Sequence, residues 1–306
     1  MMTIAAGMRY VDVRFRQMPL VIATAVLDSP SGVALIDPGP SSCLPVLREG
    51  LRAGGVEVRD IRSILLTHIH LDHAGATGTL VQENPAIRVF VHERGAPHLI
   101  DPSRLLASAG RLYGAAMDDL WGPFLPIPAA NVTALAGGEQ IEVAGRTLDV
   151  AYTPGHASHH VSYFEARSRV AFVGDMGGVH IPPAPYALPP TPPPDIDVEA
   201  WVASTHRILA WHPTTIFLTH FGPIDTPIPH LQQVLDNLHR NAALAKDALA
   251  LDASVSEEDR AAYFVQGVRR DLRRVMSESD AARYDIATPL DQNWQGLARY
   301  WRKRAH

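Results

Sequence analysis

The stretch Ile64-Leu65-Leu66-Thr67-His68-Ile69-His70-Leu71-Asp72-His73-Ala74-Gly75 puts four metal-ligating side chains, His68, His70, Asp72 and His73, within six positions. They follow a short apolar run that reads as a buried strand, at the point where the chain must turn. An alternating His-x-His-x-Asp-His cannot bring all four side chains onto one ion without strain. It can split into two pairs, His68 with His70 and Asp72 with His73, each presented to a different ion. Each ion then needs ligands from elsewhere.

Outward from this stretch, the chain offers such ligands at places of the same kind. His156 follows the apolar run 148–152 through Thr153-Pro154-Gly155, Asp175 follows 170–173 through Gly174, and His220 follows 216–218 through Thr219. Strand ends are where layered α/β folds gather their ligands. Imidazole and carboxylate together suit zinc, with iron or manganese as alternatives, and no thiolate is offered. His92, His98, His206 and His239 stand alone and read as surface or satisfied core residues.

Further strand candidates are 20–27 and 33–37, joined through Ser29-Pro30-Ser31-Gly32 as a hairpin, and 89–91 and 161–164. Between Asp37-Pro38-Gly39 and Gly54-Gly55, Leu44, Leu47 and Leu51 form a helical stripe with Ser41 or Ser42 as the expected N-cap. Eight prolines between Pro182 and Pro194 exclude a helix or central strand there and read first as a semi-rigid surface connector, second as a pocket wall. From about Pro227 the texture becomes helical. Leu231, Val234, Leu235 and Leu238 form one stripe, Ser256-Glu257-Glu258-Asp259 opens a second helix, and Leu290, Trp294, Leu297 and Trp301 recur in a third. That last stripe either packs on the main domain or serves as a homodimer seam or a pocket wall. The basic end 299–304 reads as a solvated helix face.

The 306 residues are 46% apolar and 19% charged, the composition of a globular protein able to build a core without disulfides; Cys43 is the single cysteine. With 27 basic against 32 acidic side chains, the net charge of −5 argues against nucleic acid as partner. The opening Met1-Met2-Thr3-Ile4 carries no signal-like pattern, and no apolar run approaches the roughly 20 residues of a membrane span. A cytoplasmic protein without membrane association, acting on a small molecule, is expected.

Taken in order, Thr67-His68-Ile69-His70-Leu71-Asp72-His73-Ala74-Gly75, Thr153-Pro154-Gly155-His156, Val173-Gly174-Asp175 and Leu218-Thr219-His220 resemble the metallo-β-lactamase fold superfamily, with Leu35-Ile36-Asp37-Pro38-Gly39 similar to its first motif. The resemblance covers about residues 18–225. It implies a four-layer αββα sandwich, here residues 1–225, followed by the C-terminal helical subdomain, 226–306, that the apolar stripes mark. It also implies two divalent ions, zinc first. His68, His70 and His156 would hold one ion and Asp72, His73 and His220 the other, with Asp175 bridging both beside a shared hydroxide. Asp37 would orient ligands, and Asp72 and Asp175 would be the catalytic carboxylates, Asp72 serving the leaving group.

Within that resemblance, true metallo-β-lactamases most often carry Cys where Asp175 stands, so a dedicated β-lactamase is not expected. Glyoxalase II and its thioesterase relatives share a helical C-terminal domain, although no basic-aromatic glutathione motif is visible here. Acyl-homoserine lactonases usually place a Tyr shortly after the bridging Asp. This chain reads Asp175-Met176-Gly177-Gly178-Val179-His180, which leaves His180 or Tyr186 as the substitute. The reading is a metal-dependent hydrolase of a small ester, thioester or lactone. The alternatives are a mononuclear iron persulfide dioxygenase-like oxidoreductase and a phosphodiesterase of the same superfamily. Loops at 97–128 and 181–194 are expected to shape the cleft.

Overall fold

The computed structural model describes residues 1–304; the last two residues of the expected helical subdomain, 305 and 306, lie outside them. The first sheet is seven-stranded, in the spatial order β1 (Met2–Ala5), β2 (Met8–Asp12), β3 (Ala23–Ser29), β4 (Gly32–Ile36), β5 (Ile61–Leu65), β6 (Arg88–His92) and β7 (Val132–Leu135). The second is six-stranded and contains β8 (Gln140–Val143), β9 (Arg146–Tyr152), β10 (Val161–Glu165), β11 (Val170–Phe172), β12 (Thr215–Leu218) and β13 (Gly222–Ile224), with β8 and β13 at its edges. The helices are α1 (Leu44–Ala53), α2 (Leu71–Ala74), α3 (Thr77–Glu83), α4 (Ala96–Ile100), α5 (Ser103–Tyr113), α6 (Met117–Trp121) and α7 (Val198–Ala210). A C-terminal set follows: α8 (Pro227–Leu249), α9 (Glu257–Arg273), α10 (Glu278–Ala287) and α11 (Leu290–Arg304).

The strands alternate what they bury. Ala25, Leu27, Ile36, Leu65 and Phe90 of the first sheet meet Leu148, Val150, Tyr163, Phe172 and Phe217 of the second, making the inner core. The other face of the first sheet, including Val26, Leu35, Ile64 and Val89, takes Leu44, Leu47 and Leu51 of α1 and Leu80 of α3. The outer face of the second sheet, through Phe164, Ala171 and Ile216, shares one buried cluster with Trp201 of α7 and Leu231 of α8, and Phe264 of α9 and Trp294 of α11 extend that cluster outward. The order of layers is therefore helix, sheet, sheet, helix, the αββα sandwich. The central strands of each sheet are covered on two faces, which accounts for their nearly unbroken apolar runs. Leu47 is fully buried, and truncating it to Ala would cost roughly 2–5 kcal/mol.

Strand direction gathers the sequence motifs at one edge. β4 and β5 are parallel, so the segments after them, carrying Asp37 and His68, emerge side by side. In the second sheet β9 and β11 are each antiparallel to β10, and β11 is parallel to β12. The segments carrying His156, Asp175 and His220 therefore also leave at a common edge. Three hydrogen bonds tie the two sheets there: Val161 N donates to Thr67 O (2.8 Å), Tyr163 OH to Leu66 O (2.8 Å) and Ala23 N to Thr219 O (2.8 Å).

Four local expectations need correction. The first hairpin strand begins at Ala23, not residue 20, because Leu20 has a positive φ of 64° that strand geometry excludes. Neither Ser41 nor Ser42 caps α1. They form a 3₁₀ turn, and their hydroxyls go instead to Gly75 O and Leu120 O. Residues 97–128 are largely helical, as α5 and α6. The proline-rich segment is no surface connector: Ile181, Ala184, Tyr186, Ala187 and Leu188 are buried in the core beneath the C-terminal helices. Leu290, Trp294 and Leu297 are buried there too, so that stripe is spent on packing inside the chain. The basic end of α11 is exposed, with Arg302 paired to Glu257 and Arg304 to Glu199. No helix among the described residues is long and apolar enough to cross a membrane.

Candidate metal centre

Two glycines set the approach of the chain to this edge. Gly155 has φ +144°, and a Cβ there would lie 2.4 Å from Trp201 Cα. Gly174 has φ +47°, and a Cβ there would lie 2.5 Å from Thr67 Oγ1 and 2.8 Å from His160 Nε2. Only glycine combines these backbone angles with that lack of space, and each directly precedes a site residue, His156 or Asp175.

His68, His70 and His156 come together, as do Asp72, His73 and His220, and His68 and His73 with Asp175; in each group one donor atom per residue lies within 4.8 Å of the others. His70 Nδ1 is 3.0 Å from His68 Nε2 and 2.9 Å from His156 Nε2. Asp175 reaches both halves, with Oδ2 3.3 Å from His156 Nε2 and Oδ1 3.1 Å from His73 Nε2 and 3.5 Å from His220 Nε2. Asp72 Oδ2 is 3.2 Å from His220 Nε2 and 3.7 Å from His73 Nε2.

The imidazoles are oriented from behind. His156 Nδ1–H donates to Pro190 O (2.9 Å), His220 Nδ1–H to Val21 O (2.8 Å) and His73 Nδ1–H to Asp37 Oδ2 (2.9 Å). Thr67 Oγ1 gives its proton to Asp37 Oδ2 (2.7 Å), and so accepts from His68 Nδ1–H (3.1 Å). Four rings thus spend their N–H outward and turn Nε2 inward, the arrangement expected of imidazoles that ligate metal. His73 Nε2 and Asp175 Oδ1, both buried, have no hydrogen-bond partner. Ring nitrogens and carboxylate oxygens converge here with more acceptors than protons, which leaves a demand for cations, and the donor set fits divalent ions at about 2.0–2.2 Å.

The charges report the same demand. Burial raises the pKa of Asp175, but His73, His156 and His220 around it outweigh burial and hold it well below the usual carboxylate range. Burial likewise opposes ionisation of Asp72, yet His73 and His220 bring it down to about 2. Burial would lower His73, but the carboxylates of Asp175, Asp72 and Asp37 push it well above the usual histidine range. His68 and His70 are lowered, by burial first and by neighbouring imidazoles second.

A cavity of about 520 Å³ opens onto the cluster, with His70, Asp72, His156 and Asp175 on its wall. Asp72 is the more open of the two central carboxylates, its side chain 20% exposed against 4% for Asp175. The segment 190–195 walls the cavity, as the second reading of the proline-rich stretch expects. His180 and Tyr186 do not line it. His180 Nδ1–H donates to Tyr186 O (3.2 Å), and the Tyr186 ring packs edge-on to Tyr284 at 6.2 Å, on the helical side of the second sheet. The chain turns away after Gly178, so neither replaces a lactonase tyrosine.

Several residues escape the sequence reading. His160 stacks on His68 with ring centroids 5.1 Å apart, and His159 lines the cavity, as does His98, which the sequence reading took for a surface or core residue. His156-x-x-His159-His160 is a visible signal for two of them. Tyr113 also lines the cavity, its hydroxyl donating to Gln292 Oε1 at 3.2 Å. The two stand 179 positions apart, and no spacing rule connects them.

The description "Metallo-beta-lactamase superfamily" belongs to a family model that matches residues 19–220. The chain is 29% identical over 177 residues to metallo-beta-lactamase fold-containing protein ST1585 of Sulfurisphaera tokodaii, an alignment covering 56% of this chain and 66% of that one. It is 27% identical over 142 residues to a hydroxyacylglutathione hydrolase of Synechococcus sp., covering 46% of this chain and 42% of that one. The chain thus spans two-thirds or less of these relatives' lengths. Among solved structures, metallo-beta-lactamase family protein TTHA1429 of Thermus thermophilus superposes with a TM-score of 0.71 at 22% identity, covering 99% of this chain and 95% of that one. The ST1585 structure gives 0.66 at 21% identity, covering 95% and 98%. These two likenesses bear on the fold.

Proposed function

Because the chain belongs to the metallo-β-lactamase superfamily, we propose that it is a metal-dependent hydrolase of a small ester, thioester or lactone. The observation that carries the reading is the inward convergence of ring nitrogens and carboxylates at the cavity wall, with His73 Nε2 and Asp175 Oδ1 unpartnered. His68, His70 and His156 would hold one divalent ion, zinc by donor type, and Asp72, His73 and His220 a second, with Asp175 shared. Bound ions would supply Lewis acidity, making water acidic enough to attack at neutral pH and drawing charge from the scissile carbonyl.

The chain's own residues do the rest. Asp175, ionised and nearly closed to solvent, neutralises the imidazoles facing it and fixes their spacing. Asp72 faces the cavity as a carboxylate, so it takes up the proton released by the attacking water and delivers it to the leaving oxygen or sulfur. Asp37 and Thr67 hold the rings, and the 190–195 segment and α5 wall the cavity. Likeness to a hydroxyacylglutathione hydrolase supports a thioester or ester among the substrates.

Elemental analysis combined with a panel of esters, thioesters, lactones, phosphodiesters and β-lactams tests the reading. Divalent metal with turnover of carboxylic esters, thioesters or lactones is expected, abolished in His70→Ala. One iron per chain with oxygen uptake, or turnover confined to phosphodiesters, would overturn it.

A further inference from the structure

We infer that the substrate carries an anionic group, a carboxylate or phosphate, at the end of an apolar body, and that Arg94 and Arg104 receive it; this rests on the hydrolytic reading above. The cavity that meets His70 and Asp72 is two-natured. Phe15, Leu105, Leu112 and Trp121 line it with apolar surface, and Phe15 lies flat against Trp121 at 5.4 Å and 14°. Tyr113 stands edge-on to Trp121 at 5.1 Å. Such a wall suits an acyl or other apolar body, although Arg16 lines the cavity beside Phe15.

The basic part is built around α4, where Arg94 precedes the helix, His98 lies on it and Arg104 follows, all three lining the cavity. Among the described residues neither guanidinium makes an ion pair. Arg94 is nevertheless held: Nη1 donates to Tyr152 OH at 3.1 Å, its guanidinium carbon lies 5.6 Å from the Tyr152 ring centroid, and that ring stacks on His92 at 4.4 Å and 11°. This fixes the fork without neutralising it, leaving its other N–H groups for a ligand.

Of the carboxylates nearby, Asp101 accepts from Ser103 N (3.1 Å) and feels Arg104 and His98 only at longer range, without an ion pair. Asp195 accepts from Ser158 Oγ (2.5 Å), and Asp285 from Leu290 N (3.0 Å) while pairing with Arg269. Asp291, at the start of α11, lines the cavity together with Tyr113, whose hydroxyl is raised by burial first and then by Asp72 and Asp291. An anion on Arg94 and Arg104 would leave the apolar body against Trp121 and the scissile bond at Asp72.

The test uses the zinc-loaded protein and two matched substrates, the mono-4-nitrophenyl ester of suberic acid and the same ester with its free acid capped as a methyl ester. The free acid is expected to show kcat/KM about tenfold above the capped form, the worth of one charge-assisted hydrogen bond. In Arg94→Gln/Arg104→Gln that preference should vanish through KM, with the capped ester unchanged and the melting temperature preserved, since both arginines are exposed. Equal turnover of the two esters, or a preference surviving in the variant, overturns the inference. If neither ester is cleaved, equilibrium binding decides alone, independently of the hydrolytic reading, which the wider substrate panel and metal analysis test. Octanoate or octyl phosphate, followed by tryptophan fluorescence, should bind about tenfold more weakly to the variant, with octanamide unaffected. The tighter of the two identifies carboxylate or phosphate, and equal binding to wild type and variant overturns the site.

Discussion

Asp37 Oδ2 lies 2.9 Å from His73 Nδ1, and the same oxygen takes the hydroxyl protons of Thr67 and Thr219, each at 2.7 Å. Its other oxygen accepts Thr67 N at 2.8 Å. One fully buried carboxylate therefore links the first half of the ligand cluster to the last strand-end loop. It does so from a left-handed backbone, φ +49°, which aspartate tolerates better than most residues.

Replacing Asp37 with Ala should weaken metal affinity by about 10–100-fold, because His73 loses its orienting acceptor and two buried hydroxyls lose theirs. Competition with a chromogenic chelator measures this. Affinity unchanged in Asp37→Ala would show that the rings need no support from behind.

Gly174→Ala should destabilise the fold by roughly 1–3 kcal/mol, since the left-handed backbone and the 2.5 Å approach to Thr67 Oγ1 both resist a methyl group. Urea unfolding reads the loss directly. Metal content should fall with it, because Asp175 is displaced by the same clash.

Metal uptake should tighten as pH rises. His73, raised by its three carboxylates, keeps a second proton at neutral pH in the metal-free protein, and an ion taking Nε2 must expel it. Calorimetric titrations in buffers of different ionisation enthalpy should show net proton release on binding. In the metal-free state the sign reverses for folding. A raised histidine stabilises below its unfolded pKa of about 6.5, and that contribution disappears as pH climbs through the raised value.

His230 carries a separate acid sensitivity. Burial lowers it to about 4, and its neutral ring donates Nε2–H to Gly177 O at 2.8 Å. The unfolded chain takes a proton below about 6.5 that the folded chain refuses until about 4, so stability is full above that range and falls between the two. A loss of roughly 3 kcal/mol from this residue is expected across the window. His230→Gln should flatten the pH dependence of unfolding; an unchanged slope would show that the ring is not held neutral.

Much of the site was legible because ligand chemistry is local in sequence and strand ends are marked by Thr, Pro and Gly. Thr67-His68, Gly155-His156 and Gly174-Asp175 announce both the residue and the turn that aims it. What was not legible depends on distant partners. Ser41 and Ser42 look like helix caps, but Gly75 O and Leu120 O compete for their hydroxyls more effectively. The apolar residues among the prolines of 181–194 become core only because the C-terminal helices cover them. β1 is short and lies at the edge of the first sheet, where an apolar run is not required, and β2 beside it is interrupted by Arg9 and closed by Asp12. α5 mixes Ser, Gly and Arg with Leu, which hides its cavity-facing stripe.

The metal content of wild type, His156→Ala and His220→Ala, measured on the same preparation, tests most directly whether these loops together hold ions. Two ions per chain are expected in the wild type, with one lost in each variant, as each removes a ligand from a different half. A wild type carrying less than one ion, or variants with undiminished content, would contradict the proposed metal centre.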